Sequence, residues 1–420
     1  MTLISPAFKD ERKLTYLNSE GADKPLISPL PDDVVNRARL YRMGRMRSLM
    51  AQNDVAAMLM YDPVNIRYAF DSSNMQVWTA HNPVRYALIL ASGPGIIFEF
   101  PACEHLNEGL PCVDEIRTAI SWIYMTKGDK VEASLKLWAS EIANLVNTHG
   151  GGNKRIAVDH LDGHGADALA DLGLTVVPGD GITERARSIK SADEIALMRW
   201  TIRVCEAGMA RIYEHSKAGA TERELWGHLH FENARSGGDW LETKLLTCGD
   251  HTNPWYSECS DWVCQEGEMI SFDTDMIGPY GYCADLSRSW TCDYTPFNNT
   301  QRNIYATALD QINHNLALLQ PGVSFAEFNE KSWKIPEKHV PYRYSLALHG
   351  VGMADEWPGV PLHVDWEPEH VTDGQFEPGM VICVESLMAE KGTESVKLET
   401  QVLITETGHE RLDTFPWEDI

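Results

Sequence analysis

Positive charge is what this sequence is shortest of: 36 lysines and arginines stand against 61 aspartates and glutamates, a formal net charge of −25. No basic run offsets the deficit, so the field of the chain repels phosphate backbones and anionic lipid, and neither nucleic acid nor a membrane is an expected partner. An uninterrupted apolar run of about 18 residues, the length a spanning helix needs, is also missing. The opening stretch MTLISPAFKDERKL lacks the apolar segment of a secretory signal, and a cytoplasmic protein is expected. The 9 cysteines, scattered from Cys103 to Cys383, show none of the C-x-x-C spacing of zinc ribbons or dithiol redox motifs, and buried free thiols are expected. The NNT triplet at 298–300 fits the glycosylation sequon but carries no meaning in a cytoplasmic chain.

What is present is enough chain for two or three domains, 420 residues with 43% hydrophobic content. Residues 1–35 are polar and Pro-rich (SPLPDD) and read as an extended arm. From Arg37 to Met50 a helix is expected, then strands in VAAMLMY, RYALILA and GIIFEF, a helix in VEASLKLWASEIANLV, and a turn and strand in GGGNKRIAVDH. This alternation points to a smaller α/β domain over 36–185. The remainder, 186–420, changes character. Ser191 and Glu194 have capping-box spacing, and Ile195, Met198, Ile202, Cys205, Met209 and Ile212 then fall on one helical stripe. Thr221 with Glu224 and Ser324 with Glu327 open further helices. The strand-like segments GEMISFDTDMI, GYCADLSRSW, YSLALHGVGM, GMVICVES and VKLETQVLITE favour an antiparallel sheet with helices beside it, an α+β arrangement.

Acidic residues interrupt those apolar strands. Asp273 and Asp275 are two apart, so on a continuous strand they share a face, and Asp285 follows at hairpin distance. His349 ends SLALHG, while Glu385 and Glu399 sit inside apolar runs. Burying a lone carboxylate there costs several kcal/mol unless it is paired or bound to metal. One such residue is usually salt-bridged, but five carboxylates and a histidine in one domain ask for cations. Two divalent ions leave a smaller residual charge than one, and mixed oxygen and imidazole donors suit iron, zinc, manganese or cobalt.

In their order, FDTDMIGPYGYCADLSRSW, LALHGVGM, EPGMVICVES and KLETQVLITETGHERL resemble the pita-bread fold of methionine aminopeptidase, aminopeptidase P, prolidase and creatinase. YDPVNIRYAF and RARSIKSADEIALMRW resemble the two-domain creatinase and prolidase branch, so the likeness spans roughly residues 40–415. It implies a dinuclear centre held by Asp285, His349, Glu385, Glu399 and one or both of Asp273 and Asp275, within a homodimer. Two departures stand out. The peptidases carry a second histidine after the His-Gly-x-Gly run, where this chain has Asp355 and Glu356. They carry another upstream of the first ligand, where CGDHTNPWY offers Trp255.

With those changes HGVGMADEWPGVPLH resembles the metal-dependent dimethylsulfoniopropionate lyases, which release dimethyl sulfide and acrylate by β-elimination. The resemblance implies a small zwitterionic sulfonium substrate. Elimination needs a base beside a carboxylate whose charge grows, and the leaving thioether is neutral and needs no acid. Asp355 is the expected base, and a turn or helix-cap role its ordinary alternative. Tyr344 is expected beside it, assisting the departing group or holding the carboxylate. Aromatic faces would hold the sulfonium; the candidates are Tyr344, the best placed at five residues before His349, and Trp255, Trp262, Trp357 and Trp366, with Trp78 lent by the dimer partner. A rival expectation is a prolidase-like peptidase or amidohydrolase in which His363 replaces the missing histidine.

Overall fold

The computed structural model describes residues 24–369 and 373–418, so most of the expected arm lies outside the described residues. The chain divides into two compact units, Pro31–Arg187 and Ser188–Ile420, the latter joined by the described residues up to Leu30. Those last residues are tied down: Leu26 N–H donates to Ser236 Oγ at 3.1 Å, and the Tyr280 hydroxyl to Ser28 Oγ at 2.6 Å. The first helix, Asp32–Gln52, starts inside the stretch expected to be an arm. Pro31 stands at its N-cap, and Asp32 and Asp33 occupy its first turn, where negative charge favours a helix start.

The Pro31–Arg187 unit is built on a six-stranded sheet. Its strands are β1 (Ala57–Met60), β2 (Tyr86–Leu90), β3 (Gly95–Glu99), β4 (Glu115–Thr118), β5 (Arg155–Val158) and β6 (Thr175–Pro178), in the order β4-β3-β2-β1-β5-β6. β1, β2 and β3 are buried at every position, which is why they read as apolar runs rather than alternating ones. Helix Val131–His149 sends Leu135, Trp138, Ile142 and Val146 into the core at helical spacing.

The second unit opens with helix Ala192–His215, capped by a complete Ser191–Glu194 box. All six residues of the expected apolar stripe are buried. Helix Glu222–Arg235 has the same box from Thr221 and Glu224, and helix Asn299–Leu318 has one from Asn298 and Gln301, so the sequon asparagine is a cap. Helix Phe325–Lys331 is capped by Ser324. The strands are β7 (Trp240–Leu241), β8 (Leu246–Cys248), β9 (Met269–Asp273), β10 (Met276–Ile277), β11 (Cys283–Ala284), β12 (Ser287–Thr291), β13 (Leu346–Val351), β14 (Asp355–Pro361), β15 (Val381–Met388), β16 (Val396–Ile404) and β17 (His409–Arg411). They form antiparallel sheets β11-β10-β7, β12-β9-β8 and β14-β13-β15-β16-β17. Ile304, Ala308 and Ile312 of the long helix and Phe325 and Phe328 of the short one pack with Leu348, Ile382, Val384 and Leu398 of the five-stranded sheet.

Two expectations need correction. FDTD is not one strand: β9 ends at Asp273, Asp275 takes φ +35°, and the chain restarts in another sheet as β10. GYCADLSRSW breaks likewise between β11 and β12, with Asp285 at the break. The cause is the Thr274 side chain, which accepts from Leu286 N–H at 2.9 Å and donates to the Ala284 carbonyl at 2.8 Å, making bonds a ladder would otherwise supply. The cysteines differ too, since Cys248 and Cys264 form a disulfide.

Candidate metal centre

The breaks bring the acidic residues together. Asp273, Asp275 and Asp285 each offer an oxygen within 4.8 Å of the others, and Asp285, His349, Cys383 and Glu399 form a second such group, all buried. Asp285 is common to both. Glu385 and Glu399 face each other in register across β15 and β16, a like-charge pairing that destabilises a sheet unless a cation intervenes. Glu385 Oε1 also lies 3.8 Å from His349 Nε2. Five carboxylates and one imidazole thus converge on one basin.

Their hydrogen bonds fit a metal. Asp285 Oδ1, Glu385 Oε1 and Glu399 Oε1 are buried and have no hydrogen-bond partner among the described residues, as expected of oxygens kept for a cation. Others are held in place: Ser287 Oγ lies 2.7 Å from Asp273 and 3.0 Å from Glu399, and Thr243 Oγ1 donates to Asp275 at 2.7 Å. His349 Nδ1 sits 3.0 Å from the Gly350 carbonyl. Donating there leaves Nε2 turned to Asp285 and Glu399, each at 3.3 Å, as in histidines that ligate metals.

The electrostatics say the same. Burial, with neighbouring carboxylates adding to it, drives Asp275 and Asp285 well above the usual range. Glu385 is pushed up to about 8 by burial, against Lys397. Burial pushes Glu399 up as well, but Lys397 and His349 outweigh it and hold Glu399 below the usual range. Burial disfavours the His349 imidazolium, yet Asp285 and Glu399 raise its basicity well above normal. Asp275, Asp285 and Glu385 thus carry charge that burial and like-charged neighbours disfavour, which a cation in the basin would relieve.

One positive charge is built in. Lys397, fully buried, places Nζ 2.7 Å from Glu399 and 3.0 Å from both Asp273 and Glu385. It also stands 5.0 Å from the centre of the half-buried Tyr344 ring. The sequence reading missed it, because a lysine inside VKLETQ reads as a solvated strand face; the clue was its two-residue spacing from Glu399, which puts both on one face.

The Asp355–Glu356 pair is resolved by strand alternation. Glu356 turns into the protein and forms a buried ion pair with Lys190. Gly352 makes room for it, since a Cβ there would meet the Glu356 carboxylate at 2.6 Å. Gly350 is similarly required, because its Cβ would come within 2.4 Å of the Trp357 carbonyl. Asp355 faces the other way, at the mouth of the basin, 3.8 Å from His349 Nδ1 and with 55% of its side-chain surface open. Partial burial, joined by Glu399 and Asp273 and opposed by His349, pushes its carboxyl up to about 6.

The tryptophans fare unevenly. Trp357 meets Phe325, ring centroids 5.5 Å apart, and with Trp366 packs partly buried against the apolar core. A β-strand sends consecutive side chains to opposite faces, but Glu356 and Trp357 lie at an irregular stretch of pairing where that rule does not reach. Trp262 stacks on His251 at 5.5 Å. Trp255 is half-buried; it is its neighbour Tyr256 whose ring meets Tyr344, centroids 5.6 Å apart. Trp78 lies on helix Gln76–His81 of the first unit, 6.0 Å from Phe100. His363 belongs to neither ligand group, and its basicity is lowered by burial and by Lys334.

Residues 196–406 match metallopeptidase family M24. Solved structures share the fold: an Xaa-Pro dipeptidase from Bacillus anthracis has a TM-score of 0.72 at 19% identity, covering 91% of this chain and 99% of that one. A prolidase from Thermococcus sibiricus has 0.73 at 17%, covering 90% and 98%. Sequence similarity is stronger elsewhere. "Dimethylsulfoniopropionate lyase DddP" of Roseovarius nubinhibens and that of Roseobacter denitrificans are each 40% identical, over 93% of this chain and 88% of theirs. The chain belongs to metallopeptidase family M24 and, within it, to the family of the DddP dimethylsulfoniopropionate lyases.

Proposed function

We infer that this chain cleaves dimethylsulfoniopropionate to dimethyl sulfide and acrylate. The observation that carries the reading is the split between Asp355 and Glu356: where a peptidase of this fold keeps a histidine, one carboxylate is locked to Lys190 and the other is left open beside the ligand cluster. Asp355 takes the proton from the carbon next to the substrate carboxylate. The electron pair of that C–H bond becomes the C=C bond of acrylate, the C–S bond breaks, and its pair leaves on sulfur as neutral dimethyl sulfide. Asp355 then returns the proton to water.

Asp273, Asp275, Asp285, His349, Glu385 and Glu399 would hold two divalent transition-metal ions, which supply Lewis-acid stabilisation of the charge that builds on the substrate carboxylate. Ser287, Thr243 and Lys397 keep those ligands in place. Tyr344 sits beside Lys397 at the basin and helps seat the substrate. A homodimer fits the exposed surface around Trp78, where Met75 and Val77 are 56% and 58% exposed. A cytoplasmic setting fits the described helices, none of which is long and apolar enough to cross a membrane.

The test is headspace gas chromatography for dimethyl sulfide from metal-quantified protein, run beside an Xaa-Pro dipeptide assay. Chelator-sensitive gas release without proline release is expected. Proline release without gas would overturn the reading.

A further inference from the structure

The loop between Cys248 and Cys264 is fastened at several points. A disulfide joins its ends across a sequence separation of 16. The Asn253 amide donates to the carbonyls of Glu390 and Thr393 at 3.1 and 2.8 Å, and Cys259 N–H to that of Lys244 at 2.8 Å. In the middle stands Tyr256, at φ +72°, a backbone conformation that bulky side chains rarely adopt. Its ring is not what fills a core, since the residue is 59% exposed. Packing therefore does not account for the strain, and strain of this kind persists where the surroundings impose it, often at ligand clamps.

What the imposed conformation achieves is a second aromatic face. The Tyr256 ring meets Tyr344 with centroids 5.6 Å apart and planes tilted by 34°, an open wedge rather than a closed stack. Tyr344 in turn borders Lys397, and through it Asp273, Glu385 and Glu399.

We propose that Tyr256 is a substrate-positioning residue that, with Tyr344, receives the sulfonium group and selects cationic over neutral leaving groups. The proposal rests on the lyase reading above. A sulfonium has no N–H to donate, so aromatic faces are the groups suited to hold it. Once the C–S bond breaks, the sulfur is neutral and the attraction disappears, so the wedge holds the substrate and releases the product. Because sulfur loses charge on the way to the transition state, the interaction is stronger in the ground state, so its removal raises KM without lowering kcat.

The experiment uses the metal-loaded full chain. KM and kcat are measured by dimethyl sulfide release, with inhibition constants for 3-(trimethylammonio)propanoate and its neutral isostere 4,4-dimethylpentanoate. Tyr256→Phe should keep the preference for the cation. Tyr256→Leu should raise KM about 2- to 30-fold and lower the cationic-to-neutral inhibition ratio by a similar factor, with kcat unchanged or raised. Tyr256→Gly should show the same loss while melting at or above the wild-type temperature, because glycine accepts the left-handed backbone without strain; a purely structural tyrosine would give the opposite melting shift. A Tyr256→Leu variant with the wild-type inhibition ratio overturns the role of Tyr256 and leaves the lyase reading intact. A wild-type protein that releases no gas sinks both.

Discussion

Replacing Lys397 by methionine removes the only ammonium within 3.0 Å of Asp273, Glu385 and Glu399 among the described residues, at a position with no solvent exposure. Methionine preserves the apolar stem, so the change is chiefly one of charge. Leaving partners of a buried ion pair uncompensated costs about 3–5 kcal/mol, and three carboxylates lose their partner at once. The cost depends on what else neutralises the basin. Against five ligand carboxylates, one ammonium leaves four formal negative charges, which two divalent ions cancel; with metal bound, losing Lys397 leaves a single excess charge. Urea denaturation should therefore show a loss of about 3–5 kcal/mol for chelator-stripped Lys397→Met and a markedly smaller loss for the metal-loaded variant. Protons modulate the stripped form. Glu385 titrates near 8, so below that pH its carboxyl is protonated and needs no cation, and above it the carboxylate does. The penalty in stripped protein should grow as pH rises from 6.5 to 9. A stripped variant within about 1 kcal/mol of stripped wild type across that range would refute the assignment of Lys397 as the resident counter-ion.

Asp355→Asn should lower dimethyl sulfide release by about 10²–10⁴-fold while metal content, read by mass spectrometry, stays at the wild-type level; a parallel loss of metal would make Asp355 a ligand instead. Because the Asp355 carboxyl is raised to about 6 and acts as a base, kcat/KM should fall as pH drops through 6 and be flat above it, and an acid limb below pH 5 would contradict the geometry. Lys190→Met removes the buried ammonium paired with Glu356 and should cost about 3–5 kcal/mol in urea, and Lys190→Met/Glu356→Leu should recover most of it. Gly352→Ala drives a methyl against the Glu356 carboxylate and should lower the melting temperature without changing metal stoichiometry.

The ligand set was legible in the sequence because charges inside apolar strands violate the alternation around them, and Glu385 and Glu399 in ICVES and KLETQ could not be explained as surface residues. Helix starts were legible through local chemistry, since Ser191 with Glu194 and Thr221 with Glu224 form their boxes within four residues. The breaks at Asp275 and Asp285 were not, because Thr274 bridges to Ala284 and Leu286 across the fold. Tyr256 was hidden by its left-handed backbone, which no residue pattern announces in a tyrosine. The Cys248–Cys264 bond escaped the spacing rules because its partners meet through tertiary structure. Trp357 was expected as an aromatic face for the sulfonium; register shifts between β13 and β14 accompany its packing onto Phe325.

Glu385 and Glu399 oppose each other across the third and fourth strands of a five-stranded sheet. Sheets ordinarily loosen from the rim inward, whereas stripped of metal this one keeps facing carboxylates in its middle with Lys397 as their resident counter-ion. The ions would act as rivets through strands that come from different segments of chain, making metal supply a step in assembly as well as in chemistry. In a cell short of metal, the consequence is scarcity of the protein itself through turnover of loosened chains, in place of a store of intact but idle enzyme.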